Sequence, residues 1–380
     1  MTSLNSYVFF KVENLCKYHL TFISVYLIMI KDTNILFWFC YRESALMNGL
    51  FSLLAHVSYV VDPEILKSAA GRDWDFLLEP LTNGFYITLI IITIISTMGL
   101  IACCELIPAL RRPIRNCHDH LVGYREFIPL VIRLALGVAL VVAGTKSAIY
   151  LPNVIDAKTS SWEVVIGFCL LVGLMGRLCG IAALGVFFYG LWTSHYLLGT
   201  MESAAAALLM VAYGNRRPSV DDLLGFNLSR SPLQPLWDFL MENTGVILRL
   251  ALGFTLIWLA ITEKAFNPRV CEAVVIEFQL ESLIPVSTAM WVFSVGVIEF
   301  AVGLLLVIGF FTRTFSFIAF IVLTLSFFYF KEEVAGHVTF FGALLVLFIT
   351  GAGNWSVDAY IAKRTRGVNG TMVPYQTSNL

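Results

Sequence analysis

The sequence predicts an all-α integral membrane protein with two tandem four-helix bundles and one extra helix on their amino-terminal side. Three observations predict this fold class. Of the 380 residues, 58% are hydrophobic and only 13% are charged, whereas a soluble domain carries about 25% charged residues. The apolar runs are long and lack an alternating pattern, which favours spanning helices over barrel strands. The third observation is an internal repeat.

The repeat is clearest where a glutamate and an arginine enclose two glycines. Residues 163–177 read EVVIGFCLLVGLMGR and residues 299–313 read EFAVGLLLVIGFFTR, so both follow E-x3-G-x5-G-x3-R at an offset of 136. Residues 132–137 (IRLALG) and 248–253 (LRLALG) also match. Because each copy holds four apolar segments, both copies begin on the same membrane side. They are therefore predicted to be parallel repeats, related by an axis along the membrane normal.

The predicted order along the chain starts with a poorly defined region, residues 1–83. Its apolar run at 20–30 is shorter than the roughly 20 residues that a spanning helix needs. We interpret it as an interfacial piece or as sequence upstream of a start at Met47, with a span within 20–40 as an alternative; the acidic stretch 47–83 predicts a small extramembrane cap. The remaining divisions are an extra helix (84–107), a first bundle (125–221), a linker (222–244), a second bundle (245–360) and a tail (361–380).

Nine spans are predicted, and the charges of the connecting loops orient them. The spans are 84–107, 127–145, 160–175, 178–196, 199–213, 245–263, 286–310, 314–330 and 334–352. Placing loop 108–126 in the cytoplasm assigns twelve Lys and Arg residues to that side and seven to the other, in line with the positive-inside rule. We expect a multi-pass protein of a prokaryotic plasma membrane with a cytoplasmic carboxyl terminus. No basic stretch is interleaved with aromatic residues, so nucleic acid is not an expected partner.

Charged residues inside the spans mark the candidate site, because an ionisable group in hydrocarbon costs roughly 2.5–3.5 kcal/mol on insertion scales. In the second bundle, Glu299, Lys264 and His337 are predicted at one depth toward the outer face, as candidate catalytic residues. Such a group could exchange protons beside a bound quinone or another lipid-phase ligand. The first bundle offers Glu163 and Lys146 as candidate quinone or substrate contacts, with Glu202 and His195 as weaker candidates.

Structural interpretations stand beside each of these. A Glu–Lys pair can simply fix how helices pack. Four arginines near the helix ends (Arg133, Arg249, Arg177 and Arg313) are predicted to lie at the lipid interface and to neutralise lipid phosphate. Cys117, His118 and His120 lie in a basic loop without a second ligand cluster, so no metal site is expected.

The second repeat resembles the DoxX family of small four-helix membrane proteins, which includes DoxD-like subunits of thiosulfate:quinone oxidoreductase. The resemblance depends on residues 248–264 (LRLALGFTLIWLAITEK), 297–313 (VIEFAVGLLLVIGFFTR) and 331–358 (KEEVAGHVTFFGALLVLFITGAGNWSVD). It implies a four-helix bundle, here duplicated, and in some members electron transfer from a sulfur compound to quinone. Arg249, Lys264, Glu299, Arg313 and His337 match polar positions of the family. The helix at 84–107 and the lack of a partner domain depart from the pattern.

Three functions remain open at this point. The first is a membrane subunit of a quinone-linked oxidoreductase, which oxidises a sulfur compound or thiol with a partner protein. No intrinsic redox cofactor motif is evident, so quinone is the expected cofactor and a partner must supply the electrons. The second is a small-molecule transporter, and the third is a non-enzymatic membrane scaffold. Membrane lipid is the expected surrounding in all three.

Overall fold

The computed structural model describes residues 69, 71–106, 120–121, 123–214, 219–223, 232–330 and 334–368. Two expectations for the amino-terminal region, the apolar run at 20–30 and a start at Met47, lie outside the described residues. Cys117 and His118 lie outside them as well, as does most of the tail 361–380.

The first half of the chain contains four helices where four spans were predicted. They are α3 (Ile128–Thr145), α4 (Ala157–Val172), α5 (Gly176–Thr193) and α6 (Met201–Tyr213), the last preceded by a 3-10 turn at His195–Thr200. Two helices precede them, α1 (Trp74–Leu78) and α2 (Gly84–Leu106), joined by a 3-10 turn at Glu79–Thr82. The extra helix predicted at 84–107 is thus α2.

The second half also contains four long helices. Its long helices are α9 (Thr244–Leu259), which continues as a π-helical segment at Ala260–Ala265, α11 (Thr288–Ile308), α12 (Thr312–Phe330) and α13 (Val338–Thr350), which follows a 3-10 turn at Val334–His337. Four shorter helices complete the chain: α7 (Val220–Leu223), α8 (Gln234–Glu242), α10 (Pro268–Glu277) and α14 (Val357–Val368).

A two-stranded hairpin is an exception to the predicted all-α fold. β1 (Ala148–Ile149) pairs antiparallel with β2 (Leu151–Ile155) directly after α3. Ser147 and Tyr150 have φ values of 56° and 55° at the two bends. The hairpin forms the connection between α3 and α4, which was predicted only as the segment between two spans.

The turn that ends α4 recurs at the end of α11. Both helices close on a glycine in the left-handed region, Gly173 with φ 77° and Gly309 with φ 69°, a conformation that side chains with a Cβ rarely adopt. An aspartate from a later segment secures each turn. The Met175 N–H donates to Asp221 at 2.9 Å, and the Phe311 N–H donates to Asp358 at 2.8 Å.

The first two long helices of each half cross at a pair of glycines. A Cβ added to Gly253 would lie 2.6 Å from the carbonyl oxygen of Gly303. A Cβ added to Gly167 would lie 2.7 Å from the carbonyl oxygen of Gly137. The backbones therefore approach more closely than any side chain would allow, as small residues permit between membrane helices.

The two halves share one hydrophobic core along a surface that we call the seam. At the seam, α3 packs against α13, and α6 packs against α9. Fully buried leucines from both halves meet there, including Leu136, Leu209, Leu252 and Leu344. The four-helix groups are thus held together by packed side chains as well as by the chain that links them.

Six helical segments of the described residues are long and apolar enough to cross a membrane. They are Gly123–Thr145, Gly176–Thr193, His195–Tyr213, Thr244–Ala265, Thr288–Ile308 and Thr312–Phe330. A seventh exists if Trp74–Thr82 and Gly84–Thr97, which meet at an 80° bend, count as one span. Two bundle helices are shorter, α4 with 16 residues and α13 with 13. The predicted nine spans therefore reduce to six or seven on length and composition.

A small second core lies where α1 meets α10 and the start of α11. We call residues 71–82 and 267–277 the cap. Its buried side chains include Phe76, Leu77, Val270 and Val275. Arg269 of α10 forms an ion pair of 2.7 Å with Asp73 at the start of α1, and a second of 2.8 Å with Glu272 within α10.

Candidate functional site

Lys264 lies between two carboxylates at the end of the π-helical segment. Its ammonium nitrogen is 2.8 Å from Glu263 Oε2 and 2.9 Å from Glu299 Oε2. The Glu263 side chain is 1% exposed, that of Lys264 12% and that of Glu299 19%. The three side chains therefore reach from the buried interior to a partly exposed surface. The ammonium group of Lys264 lies between the two carboxylates.

The local backbone explains how these three side chains meet. The π-helical turn Ala260–Ala265 packs against α11, which carries Glu299. π-Helical turns are rare and are often found at functional sites. A Cβ on Gly296 would lie 3.0 Å from the Cβ of Lys264. The glycine in α11 thus leaves space for the stem of Lys264, which then reaches Glu299 one turn further along.

Residues of the cap cover this group on one side. Asn267 donates to the carbonyl of Thr262 at 2.8 Å and accepts from the Gly71 N–H at 3.1 Å. The Cys271 thiol lies 3.6 Å from the carbonyl oxygen of Glu263, to which it donates. Burial raises the pKa of Cys271 to about 12, so its sulfur stays a thiol near neutral pH and is a poor nucleophile.

His337 is buried, but it is not part of the ion-paired group. Its ring packs edge-on against Phe327 with centroids 4.9 Å apart, and its turn, Val334–His337, lies against α3 at the seam. Among the described residues, neither Lys264 nor Glu299 forms a hydrogen bond or ion pair with it. Of the three residues expected together, the structure joins two.

Glu163 and Lys146 do not form the pair that was expected in the first half. The Glu163 side chain is 0% exposed, whereas Lys146 is exposed where α3 ends. Glu163 Oε1 accepts from the Tyr150 N–H at 3.3 Å. Within the described part of the chain, its Oε2 is buried and has no hydrogen-bond partner. The chain turns into the β1–β2 hairpin right after Lys146, which explains why the ammonium does not enter the bundle.

A polar cluster at the seam includes Glu202, which the sequence offered only as a weaker candidate. Glu202 is buried, and its Oε2 accepts from the Thr255 hydroxyl at 2.8 Å. The Met201 N–H in turn donates to the Thr255 oxygen at 3.1 Å. Ser203 and Thr339 share a hydrogen bond of 2.8 Å. Glu202 therefore lies where α6 of the first half meets α9 of the second.

Two of the arginines expected at the lipid interface are buried in protein. Arg249 is 2% exposed and Arg133 is 4% exposed. The Arg249 guanidinium donates to the carbonyls of Ala352 at 3.0 Å and Trp355 at 2.7 Å, and also to that of Val307. These carbonyls lie at the end of α11 or just after α13, where backbone oxygens lack helical partners. The prediction of lipid contact was wrong because both side chains are buried in protein, and the acceptors of Arg249 are backbone oxygens.

Arg177 and Arg313 follow the recurring turns, as predicted, and both are half-buried. Arg313 donates to the carbonyl of Ile349 at 2.8 Å, at the carboxyl end of α13. The Arg177 guanidinium carbon lies 5.9 Å from the centre of the Trp237 ring. Both arginines thus make contacts within the protein, and their contact with lipid phosphate stays a prediction.

The one charged member of the site that sequence reasoning did not predict is Glu263. Its signal was its position next to Lys264 in the stretch ITEK, at the end of a predicted span whose other charged residue is Arg249. The described residues contain no group of three or more His, Cys, Asp or Glu side chains that could hold a metal ion.

Comparison with protein-family models identifies a domain in the second half of the chain. A DoxX family model matches residues 245–332, which include α9, the π-helical segment, α10, α11 and α12. Two of the stretches that carry the resemblance, 248–264 and 297–313, lie inside this range. Neither the search of curated proteins nor the search of solved structures found a match. Residues 245–332, with Lys264 between Glu263 and Glu299, thus match the model of a DoxX domain.

Proposed function

We propose that this protein is the membrane subunit of a quinone-linked oxidoreductase complex. A partner protein oxidises a sulfur compound or thiol and passes the electrons to quinone in the membrane. The observation that carries the proposal is the group Glu263–Lys264–Glu299, which lies inside the DoxX domain and is partly open at Lys264 and Glu299. A buried charge group that reaches the bundle surface suits a ligand that arrives from the lipid.

The chemistry requires protons as well as electrons. Reduction of a quinone to a quinol consumes two electrons and two protons. The Lys264 ammonium can donate a hydrogen bond to a quinone carbonyl oxygen and stabilise the negative charge that develops there. Glu299, which is ionised before the reaction, can then take up a proton from water and pass it to that oxygen. The electrons come from the partner, since the proposal assigns no redox centre to this chain.

We infer further that the chain is a tandem duplicate with nine spans. The turns at Gly173 and Gly309 and the glycine crossings Gly137–Gly167 and Gly253–Gly303 support this proposal, because the same contacts occur in both halves. The helices α4 and α13 count as spans in this scheme, as they pack alongside longer ones. With the loop charges, the scheme puts the carboxyl terminus in the cytoplasm of a prokaryotic cell.

The proposal is tested with Glu299→Gln in isolated membranes that contain the native complex. We expect thiosulfate-dependent or thiol-dependent quinone reduction to fall about 100-fold or more, as is typical when a proton-transferring group is lost. Glu281→Gln is the matched control, because Glu281 is an exposed carboxylate in the same outer segment of the chain. This control is expected to retain wild-type turnover.

Two results would point elsewhere. If the Glu299→Gln variant reduced quinone at the wild-type rate, the assignment of Glu299 to the quinone site would be wrong. If the variant lost only thermal stability in detergent, the group would be a structural clamp between the π-helical segment and α11, in line with a scaffold. Solute flux in proteoliposomes that depends on both Glu163 and Glu299 would favour the transporter instead.

A further inference from the structure

The two glutamates at corresponding positions of the halves lie in opposite electrostatic surroundings. Glu163 and Glu299 each stand 10 residues before a left-handed glycine that ends the helix, Gly173 and Gly309. At 1.5 Å per residue, both carboxylates lie about 15 Å from those turns. Glu299 is ion-paired with Lys264. Glu163, by contrast, has no cation within ion-pair distance among the described residues.

The reason is a difference in how the preceding helix ends. In the second half, the chain continues past α9 as the π-helical turn that carries Lys264 inward. In the first half, α3 stops at Thr145, and Ser147 with φ 56° starts the hairpin. A Cβ added to Gly144 would lie 2.6 Å from the carbonyl oxygen of Ser160. The helices α3 and α4 therefore pack closely at Gly144, and no space is left there for a lysine side chain that points into the bundle.

The hairpin seals Glu163 away from solvent. Tyr150 is buried, donates its hydroxyl to the carbonyl of Ala183 at 2.7 Å and packs edge-on against Phe187 at 5.5 Å. The Tyr150 N–H is the one hydrogen-bond donor to Glu163 in the described structure, at 3.3 Å. The other ionisable side chains on α4 and on the segments packed against it are Arg133, Lys146, Tyr150, Asp156, Lys158, Cys169, Arg177, Cys179 and Tyr189. None of these nine forms an ion pair with Glu163.

Burial decides the protonation state of such a group. An ionised carboxylate in an apolar interior is strongly unfavourable unless a cation or several hydrogen-bond donors compensate it, and the group otherwise takes up a proton. One long hydrogen bond does not compensate a full charge. We propose that Glu163 is a proton-binding site, held as a neutral carboxylic acid at neutral pH, whereas Glu299 is ionised beside Lys264. The first half thus holds a neutral acid, and the second half holds an ion pair in the resting protein.

This site is independent of the proposed quinone chemistry. Glu163 Oε2 has no hydrogen-bond donor beside it in the described structure, which favours the protonated form. In that form Oε2 is itself a donor, to any acceptor that reaches it, such as a water molecule. Glu202 differs because its Oε2 accepts from Thr255, and Glu299 differs because its Oε2 is ion-paired with Lys264.

Infrared spectroscopy of the purified, lipid-reconstituted protein tests the inference without any activity assay. A protonated carboxylic acid has a C=O stretching band separate from that of a carboxylate, and this band shifts in D2O. At neutral pH, Glu163→Gln is expected to lose a carboxylic acid component of the spectrum. The matched variant Glu299→Gln is expected to lose a carboxylate component instead, and Glu202→Gln serves to identify any contribution from the seam.

Either of two results would overturn the inference. One is loss of a carboxylate band in Glu163→Gln, and the other is no change in the carboxylic acid region. If Glu163→Gln does not fold, Glu163→Asp keeps the acid and is expected to shift its band relative to wild type. An unshifted carboxylic acid band in that variant would also overturn it. Glu299→Gln can abolish quinone reduction whatever these spectra show, so the two proposals fail separately.

Discussion

At the scale of single residues, Arg249 connects the end of α11 to the segment that follows α13. Its guanidinium reaches carbonyl oxygens of Val307, Ala352 and Trp355. These oxygens would otherwise be buried without donors, which is costly in the membrane interior and beside it. A planar group with five donors suits this task better than an ammonium.

We expect Arg249→Met to lower the free energy of unfolding in detergent by about 3 kcal/mol, because several buried acceptors lose their donor at once. Arg249→Lys keeps the charge but not the fork geometry, so its loss should be smaller. Thermal unfolding followed by circular dichroism measures both. A wild-type midpoint for Arg249→Met would show that the carbonyls find other donors.

Asp73 is the residue whose titration should be visible in stability, since it lies in the cap and outside the spans. The Phe76 N–H and then Arg269 hold the pKa of Asp73 below its usual value. A depressed folded-state pKa contributes stability above the unfolded pKa of about 3.9, and this contribution is lost as the pH falls through the folded-state value.

The matched variant is Asp73→Asn. Its stability difference from wild type is expected to be constant from neutral pH down to about pH 4 and to shrink at lower pH. Thermal midpoints of both proteins across this range provide the measurement. A difference that grew on acidification would contradict the role of the carboxylate, because the sign of the linkage would be reversed.

At the scale of helices, the glycine crossings set how closely each leading pair approaches. Gly253 in α9 meets Gly303 in α11 backbone to backbone. A methyl group there would meet the Gly303 carbonyl at 2.6 Å and the Val307 side chain at 2.7 Å. Since backbone atoms cannot move aside as a flexible side chain can, the helices would have to separate.

We therefore expect Gly253→Ala to destabilise the protein by about 1–3 kcal/mol through overpacking. Gly185→Ala is the control, because Gly185 is exposed in α5 and a Cβ there would meet nothing within 4 Å. That variant should gain up to about 1 kcal/mol from helix propensity. Chemical or thermal unfolding of the pair gives the comparison, and equal effects would contradict the crossing geometry.

Helix positions were the most predictable part of the fold. Long apolar runs end at charged or glycine-rich positions, so α3, α9 and α12 begin and end within a few residues of expectation. The β1–β2 hairpin and α10 were not predicted, because both are short and lack a membrane-length apolar run. Their conformations depend on packing against the bundle, which a local pattern does not encode.

The candidate site was predictable only in part for a related reason. The sequence predicted Glu299 and Lys264 at one depth in the membrane, and the structure joins the two in an ion pair. Depth does not specify direction around the helix axis. His337 lies against α3 and Arg249 points to backbone carbonyls, because the seam and the helix ends determine which way those side chains face.

At the scale of the whole molecule, the seam has a consequence for symmetry. A protein with only one four-helix copy would have to cover its seam face with a second identical molecule, and every seam residue would then occur twice. In the proposed tandem arrangement, two copies are joined in one chain, so the two sides of the seam can differ in sequence. The helix α6 ends before Gly214 and α13 ends before Gly351, so position 339 corresponds to position 202. Position 202 holds Glu facing Thr255, whereas position 339 holds Thr facing Ser203. The linked chain can thus carry one acid at its centre where a symmetric pair would have to carry two.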